Sequence, residues 1–437
     1  MPSAVRPDTA SGGLRVAIIG AGITGINLAL GLQARNVSYT VYERAPGFRE
    51  IGAGIGFSPN AERAMGSVNP EVLQAFRRVA NPNGEDYFQW VDGHDTAELL
   101  FRLHVGKDGF QGCRRCDILE EWAKLIPPER VEFGKEIDCV TEDAKGLVIQ
   151  FKDGTADTAD VVIGCDGIRS RIRQLVLSNP KDKNAAQPHY SSKYCFRALV
   201  PMPAAVAAIG EYRSGTRFMY NGPKAHVITY PIGNNSVLNM LAVLSDNAPW
   251  PDQTKHTLSG SKSEATAAFE GWHPTVRKIV DLFPEQMDKW AIFDMAEHPA
   301  STYVRGRICV AGDAAHAAGP HLGAGGGMGI EDALVLSELL AKVDNLEEEA
   351  FRGSAGAALI EAALKVYNDV RYRRTQDVVQ STRAAVDLFQ WQDRAIGSDG
   401  TKFGQQISRT FHHVWDYDVD DMVREALAKL DETVRKP

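Results

Sequence analysis

Two residues able to handle an anionic oxygen stand in apolar, strand-like stretches. They are Arg197 in SSKYCFRALVPM (191–202) and Tyr230 in HVITYPI (226–232). An arginine keeps its charge, so among apolar neighbours it needs an anion, from the protein or from a ligand. A buried tyrosine hydroxyl also wants a partner. Together, a guanidinium and a phenol suit a phenolate or enolate oxygen. Taken alone, a solvent-facing or ion-paired strand arginine and a core tyrosine bonded to a backbone carbonyl are the commoner roles. The elements that position the two residues decide between these readings.

The first such element is LRVAIIGAGITGINLALGLQARNVSYTVYER (14–44). Residues 16–19 are wholly apolar, as in a parallel strand covered on both faces. Gly20, Gly22 and Gly25 follow as G-x-G-x-x-G, then a helical stretch to about Arg35 and a second strand ending at Glu43. Glycines there allow a tight turn and bring backbone amides to a pyrophosphate at the helix mouth, and the acid about twenty residues on suits a ribose. Far downstream, GRICVAGDAAHAAGPHLGAGGGMGIEDALVLSELL (306–340) predicts another buried strand ending at Gly312-Asp313. A glycine-dense loop over 319–329 and a helix from about Ile330 are expected next, with Glu331 and Asp332 in its first turn. Asp313 is placed to bond a ribityl or ribose hydroxyl, and the loop amides to close on a flat ring or a pyrophosphate.

The chain has 437 residues, which points to two packed domains. Its net charge of −8 argues against a nucleic-acid surface and against an anionic-membrane anchor. Six scattered cysteines and a polar first thirteen residues predict a reduced, cytoplasmic protein. Cys113 and Cys116 form C-x-x-C without a second pair, so no metal site is expected. The apolar run 14–32 is broken by glycines and is not a membrane span.

These segments resemble the FAD-dependent aromatic hydroxylases, the group A flavoprotein monooxygenases that include p-hydroxybenzoate and salicylate hydroxylases. The matching stretches are GAGITG with Glu43, IGCDGIRSRIR (163–173) and GDAAH with GAGGGMGIEDA. RRCDIL (114–119) and IGAGIGFSPNA (51–61) match more weakly. The resemblance implies an α/β, Rossmann-like FAD-binding domain with an inserted mixed β-sheet substrate domain and a C-terminal helical segment. It assigns FAD to Gly20, Gly22, Gly25, Glu43, Gly56, Arg115, Asp313 and Gly326. It also implies NAD(P)H as transient reductant, with NADPH favoured, and O2 and a small phenolic substrate as partners. Oxygen would pass through a C4a-hydroperoxyflavin. No metal, nucleic acid or membrane is implied, and a homodimer is the assembly to look for.

Tyr194 to Arg197 and Thr229 to Pro231 further resemble the fungal dearomatising polyketide hydroxylases of the tropolone, azaphilone and sorbicillinoid pathways. In that subgroup an arginine and a tyrosine thirty-three positions apart act on the substrate, the separation of Arg197 and Tyr230. The resemblance gives Arg197 the phenolate and Tyr230 its orientation, with hydroxylation ortho to the phenolate and loss of aromaticity. A salicylate-type decarboxylating hydroxylase giving a catechol is the alternative, and a non-catalytic flavin-binding redox sensor the third reading. Strands are expected over 194–200, 216–220, 226–232 and 237–244. The expected layout is a tail over 1–13, an FAD domain in 14–81, 107–188 and 289–369, a substrate domain in 82–106 and 189–288, and helices over 370–437. Arg371, Arg373 and Arg374 read as a solvated helix face. His316 and His321 carry no assignment.

Overall fold

The computed structural model describes residues 13–48, 54–106, 109–143, 146–346 and 354–435. Of the expected tail, residues 1–12 lie outside the described residues, as do 51–53 of the 51–61 stretch.

The apolar run 16–19 forms the strand Arg15–Ile19 inside a six-stranded sheet. The sheet runs Val304–Arg305, Ile308–Val310, Val161–Gly164, Arg15–Ile19, Ser38–Glu43, Val131–Phe133, parallel except for the first pair. Parallel strands are covered on both faces, and Ile18, Val41, Val162 and Ile163 are accordingly buried. The helices Ile23–Ala34 and Gly325–Asp344 pack closely on each other; a Cβ on Gly31 would stand 2.8 Å from Ser337 Oγ.

An eight-stranded sheet holds, in order, Thr257–Ser261, Gln286–Asp294, His189–Pro201, Val237–Ser245, Ala225–Ile232, Phe218–Gly222, Tyr87–Asp92 and Leu99–His104. The strand expected over 194–200 is therefore longer at both ends, and the one expected over 216–220 begins two residues later. Side chains alternate across the sheet with period two. One face buries Phe196, Val227, Ala242 and Tyr220 in a core shared with Phe269 and Val276. The other carries Arg197, Leu241, Ile228, Met219 and Trp90, which stand opposite one another across five adjacent strands.

Two expectations are corrected. The helix expected from Ile330 begins at Gly325, so Glu331 and Asp332 lie beyond its first turn. Its glycines serve close approach rather than a loop: a Cβ on Gly329 would lie 2.1 Å from Thr24 Oγ1, and one on Gly327 2.9 Å from Ala61 Cβ. The basic run on the helix Ser354–Phe389 is also not a solvated face. Arg373 is exposed, but Arg371 and Arg374, three apart and so on one helical face, turn inward. Arg371 bonds Glu331 Oε2 at 2.6 Å and Asp332 Oδ1 at 2.7 Å, with all three side chains fully buried. Arg374 approaches Glu331 Oε1 at 3.4 Å. Asp332 also accepts from the Gly312 amide at 2.8 Å and from His316 Nε2 at 2.6 Å. Near its other end the same helix sends Arg383 to Asp294 in a two-pronged contact, 2.8 Å on each side. Among the described residues no helix is long and apolar enough to cross a membrane.

Replacing Arg371 by Ala removes the buried counter-charge that both carboxylates share. The expected loss is about 3–5 kcal/mol of folding stability, read from the denaturant midpoint. Arg373→Ala, on the exposed side, leaves the midpoint unchanged.

Candidate active site

Two glycines of the dinucleotide turn, Gly20 and Gly25, stand where no side chain fits. Gly20 has φ +104°, and a Cβ there would lie 2.5 Å from the Cys165 carbonyl oxygen. A Cβ on Gly25 would lie 1.9 Å from the Gly20 carbonyl oxygen. Gly22 caps the helix Ile23–Ala34, leaving the first-turn amides free at its mouth. Glu43 ends the neighbouring strand, and its carboxylate accepts from the Ala21 and Ala45 amides, each at 2.8 Å. Those bonds fix the acid beside a groove that Ala21, Gly22, Phe48 and Leu119 also line. Each carboxylate oxygen retains a lone pair for a ribose hydroxyl.

Asp166, in the middle matching stretch, accepts from Ser170 Oγ and from the Arg171 and Ile172 amides. It fixes the turn that leads into the helix Arg171–Val176.

A cavity of about 380 Å³ continues from Gly22, Ile23 and Thr24 to the face of the large sheet. Gly56, Arg115, Asp313 and Gly326 all line it. Asp313 is exposed, and among the described residues its carboxylate has no hydrogen bond, so it is open to a ligand hydroxyl. Gly56 presents bare backbone; a Cβ there would lie 2.4 Å from the Phe110 ring. A fixed acid, a helix mouth, an open carboxylate and side-chain-free walls in one continuous depression fit FAD.

The sheet end of the cavity holds Tyr230, Arg217, Phe88, Phe110, Ile228 and Leu241. Arg217 is only 3% exposed. Its guanidinium lies 4.1 Å from the Phe110 ring centroid and 5.2 Å from that of Tyr230, and Nη1 donates to the Phe110 carbonyl at 3.1 Å. Among the described residues no carboxylate lies within ion-pair distance. Burial lowers its pKa to about 10, which leaves it charged at neutral pH. Burial pushes Tyr230 up to about 12, with Arg217 pulling the other way, so the phenol stays protonated. Gly54 and Gly112 flank its ring, and a Cβ on Gly54 would lie 2.9 Å from its hydroxyl.

Arg197 shares this sheet face but does not line the cavity; Leu241, its cross-strand neighbour, does. Its half-buried guanidinium stacks 3.6 Å over Trp290, and burial lowers its pKa. Among the described residues it too lacks a carboxylate in ion-pair range. The structure thus gathers Gly22, Gly56, Arg115, Tyr230, Asp313 and Gly326 around one cavity, with Gly20 and Glu43 on the adjoining grooves and Arg197 one strand away. Arg217 and His321 also line the cavity, and the sequence does not single out either for a role. The one local signal for Arg217 is its place two residues before Met219 and four before Asn221, on one strand face.

A dinucleotide seat that opens onto a largely apolar slot beneath a second sheet is the arrangement of the flavoprotein aromatic hydroxylases. The family model described as FAD binding domain matches residues 13–382, and the chain belongs to that family. It is 48% identical over 425 residues to the FAD-dependent monooxygenase orf3 of Aspergillus niger, covering 94% of this chain and 96% of that one. It is 49% identical over 419 residues to the FAD-dependent monooxygenase pigN of Monascus ruber, covering 94% and 95%. Among solved structures, a salicylate hydroxylase substrate complex superposes with a TM-score of 0.82 at 29% identity, covering 95% of this chain and 98% of that one. The chain is an FAD-dependent monooxygenase of the aromatic-hydroxylase type, with the α/β fold that the resemblance implies.

Gly25→Ala is expected to abolish FAD retention, because the added methyl meets backbone rather than a movable side chain. The visible absorbance of the purified variant reads this directly; a yellow protein with full FAD content would contradict it.

Proposed function

We propose that the chain hydroxylates a phenolic ring ortho to its phenolate oxygen, with dearomatisation, using FAD, O2 and NAD(P)H, with NADPH favoured. The observation that carries this reading is Arg217, a buried charge with no carboxylate in ion-pair range among the described residues, beside the Tyr230 ring in the cavity next to the dinucleotide seat. Bound FAD, reduced by the nicotinamide, supplies the activated oxygen. The chain's own residues do the rest. Arg217 favours the ionised form of the ring oxygen, which enriches the ortho and para carbons in electron density. Tyr230 donates to the same oxygen and orients the ring. Phe88, Phe110, Ile228 and Leu241 exclude water from the reacting carbon. Arg197, to which the resemblance gives the phenolate, adds a second positive charge without a carboxylate partner one strand from Leu241. Hydroxylation at a substituted ortho carbon then leaves a quaternary carbinol and a ring ketone.

The likeness to a salicylate hydroxylase favours a second reading, oxidative decarboxylation to a catechol. Products separate the two: carbon dioxide with a catechol, or a non-aromatic hydroxydienone.

Arg217→Gln is expected to keep FAD while hydroxylation falls about 10²-fold, the size of a lost charge-assisted contact, and Arg197→Ala to keep FAD and lose hydroxylation through the missing second charge. Normal turnover by both on an alkylated resorcinol aldehyde would sink the assignment. Tyr230→Phe should slow hydroxylation or blur its site. Because Arg217 stays charged up to about 10, phenol affinity should rise as pH climbs through the ligand's own pKa, then hold until Arg217 titrates. Ligand-induced changes in flavin absorbance across a pH series measure this.

A further inference from the structure

His321 forms part of the cavity wall, and the chemistry above does not use it. It is 8% exposed, and neither ring nitrogen has a hydrogen-bond partner among the described residues; Nδ1 is sealed within the wall, which leaves Nε2 as the nitrogen a ligand can reach. The ring of His226 lies 5.8 Å from it, centroid to centroid, in an edge-to-face arrangement. His226 and Tyr230 share one face of the strand Ala225–Ile232, four residues or about 13 Å apart, with Ile228 between them. The cavity therefore has two polar ends joined by an apolar floor of Ile228 and Leu241. Arg217 and Tyr230 make one end, and His321 backed by His226 makes the other.

The second end is held uncharged. Lys193 Nζ donates to Gln390 Oε1 at 3.0 Å, which turns the Gln390 amide so that Nε2 donates to the Val243 carbonyl at 3.1 Å and to His226 Nδ1 at 3.3 Å. An accepting Nδ1 leaves the His226 proton on Nε2. Burial, aided by the nearby Lys193 charge, pushes His321 down to about 3 and His226 well below its usual range. Lys193 itself is taken up by Ser245, Gln390, Gln392 and Asp387. Two neutral imidazoles cannot offset a carboxylate. An unpartnered Nε2 in a largely apolar wall does call for a neutral group that hydrogen-bonds. A hydroxyl both donates and accepts, so it serves either tautomer of His321.

We propose that His321 is a specificity-determining residue that receives a second, uncharged hydroxyl of the substrate, on the side of the ring system away from the phenolate. The inference rests on the phenol-hydroxylase reading above and narrows its substrate to rings with two well-separated oxygens, one ionised and one not.

The test uses the FAD-loaded enzyme, 1-methyl-2,6-dihydroxynaphthalene, whose oxygens stand at opposite ends of two fused rings, and its two mono-methyl ethers, with affinity read from the flavin absorbance change. In the natural protein each ether should bind about tenfold more weakly than the parent, each having lost one polar contact. His321→Leu should erase the penalty for one ether and leave that for the other. His321→Gln, which keeps an acceptor, should retain both. If His321→Leu retains both penalties, the inference is overturned while the phenol-hydroxylase reading stands. If no phenol of the three perturbs the flavin or stimulates NAD(P)H oxidation in the natural protein, that reading falls and this inference with it.

Discussion

Arg371 lies in full burial between Glu331 and Asp332, and the cofactor seat depends on that contact. Charges removed from water are tolerated only when every partner is present, so this cluster behaves as one unit. Asp332 carries it onward to the Gly312 amide and to His316. Gly312, at φ +61°, stands where a Cβ would lie 2.2 Å from Thr24 Oγ1. The ion pairs therefore set the distance between the turn bearing Asp313 and the helix that opens at the dinucleotide turn.

Two buried arginines show how the same side chain is used for structure and for chemistry. Arg371 meets two carboxylates of the helix Gly325–Asp344, and with Arg374 beside Glu331 the charges balance. Arg217 is nearly as deep, yet its contacts are the Phe110 carbonyl and aromatic faces. Aromatic faces attract a cation but do not neutralise it. The protein supports that uncompensated charge with the stability of the surrounding sheet, and it leaves the cavity biased toward an anion. At the other end, burial removes charge from two histidines. One slot thus presents a cation and a neutral acceptor to whatever enters.

Local features were legible in the sequence. Gly20, Gly22, Gly25 and Glu43 act over one strand–turn–helix unit, so spacing alone reports their geometry. The alternation about Tyr230 gave its sheet face for the same reason. Features set by pairing were not legible. Arg217 meets Tyr230 only because two strands pair in one register, and a single sequence carries no register across a hairpin. Arg371 and Arg374 share a helical face by periodicity, but nothing local says whether that face meets water or the buried Glu331. The glycines at 325–329 looked like a loop because their neighbours, Thr24 and Ala61, are some three hundred residues away in sequence. The side-chain aim of Arg197 depends on Trp290, from a strand nearly a hundred residues on.

The helix Ser354–Phe389, roughly 54 Å long at 1.5 Å per residue, touches both halves of the molecule. Arg371 serves the cofactor side, Arg383 holds the large sheet, and Gln390 just past its end orients His226. Breakpoints for chimeras between relatives follow from this. Transplanting the large sheet alone would separate His226 from Gln390 and Asp294 from Arg383. A productive exchange has to carry the last turns of that helix with the sheet, although the two are distant in sequence.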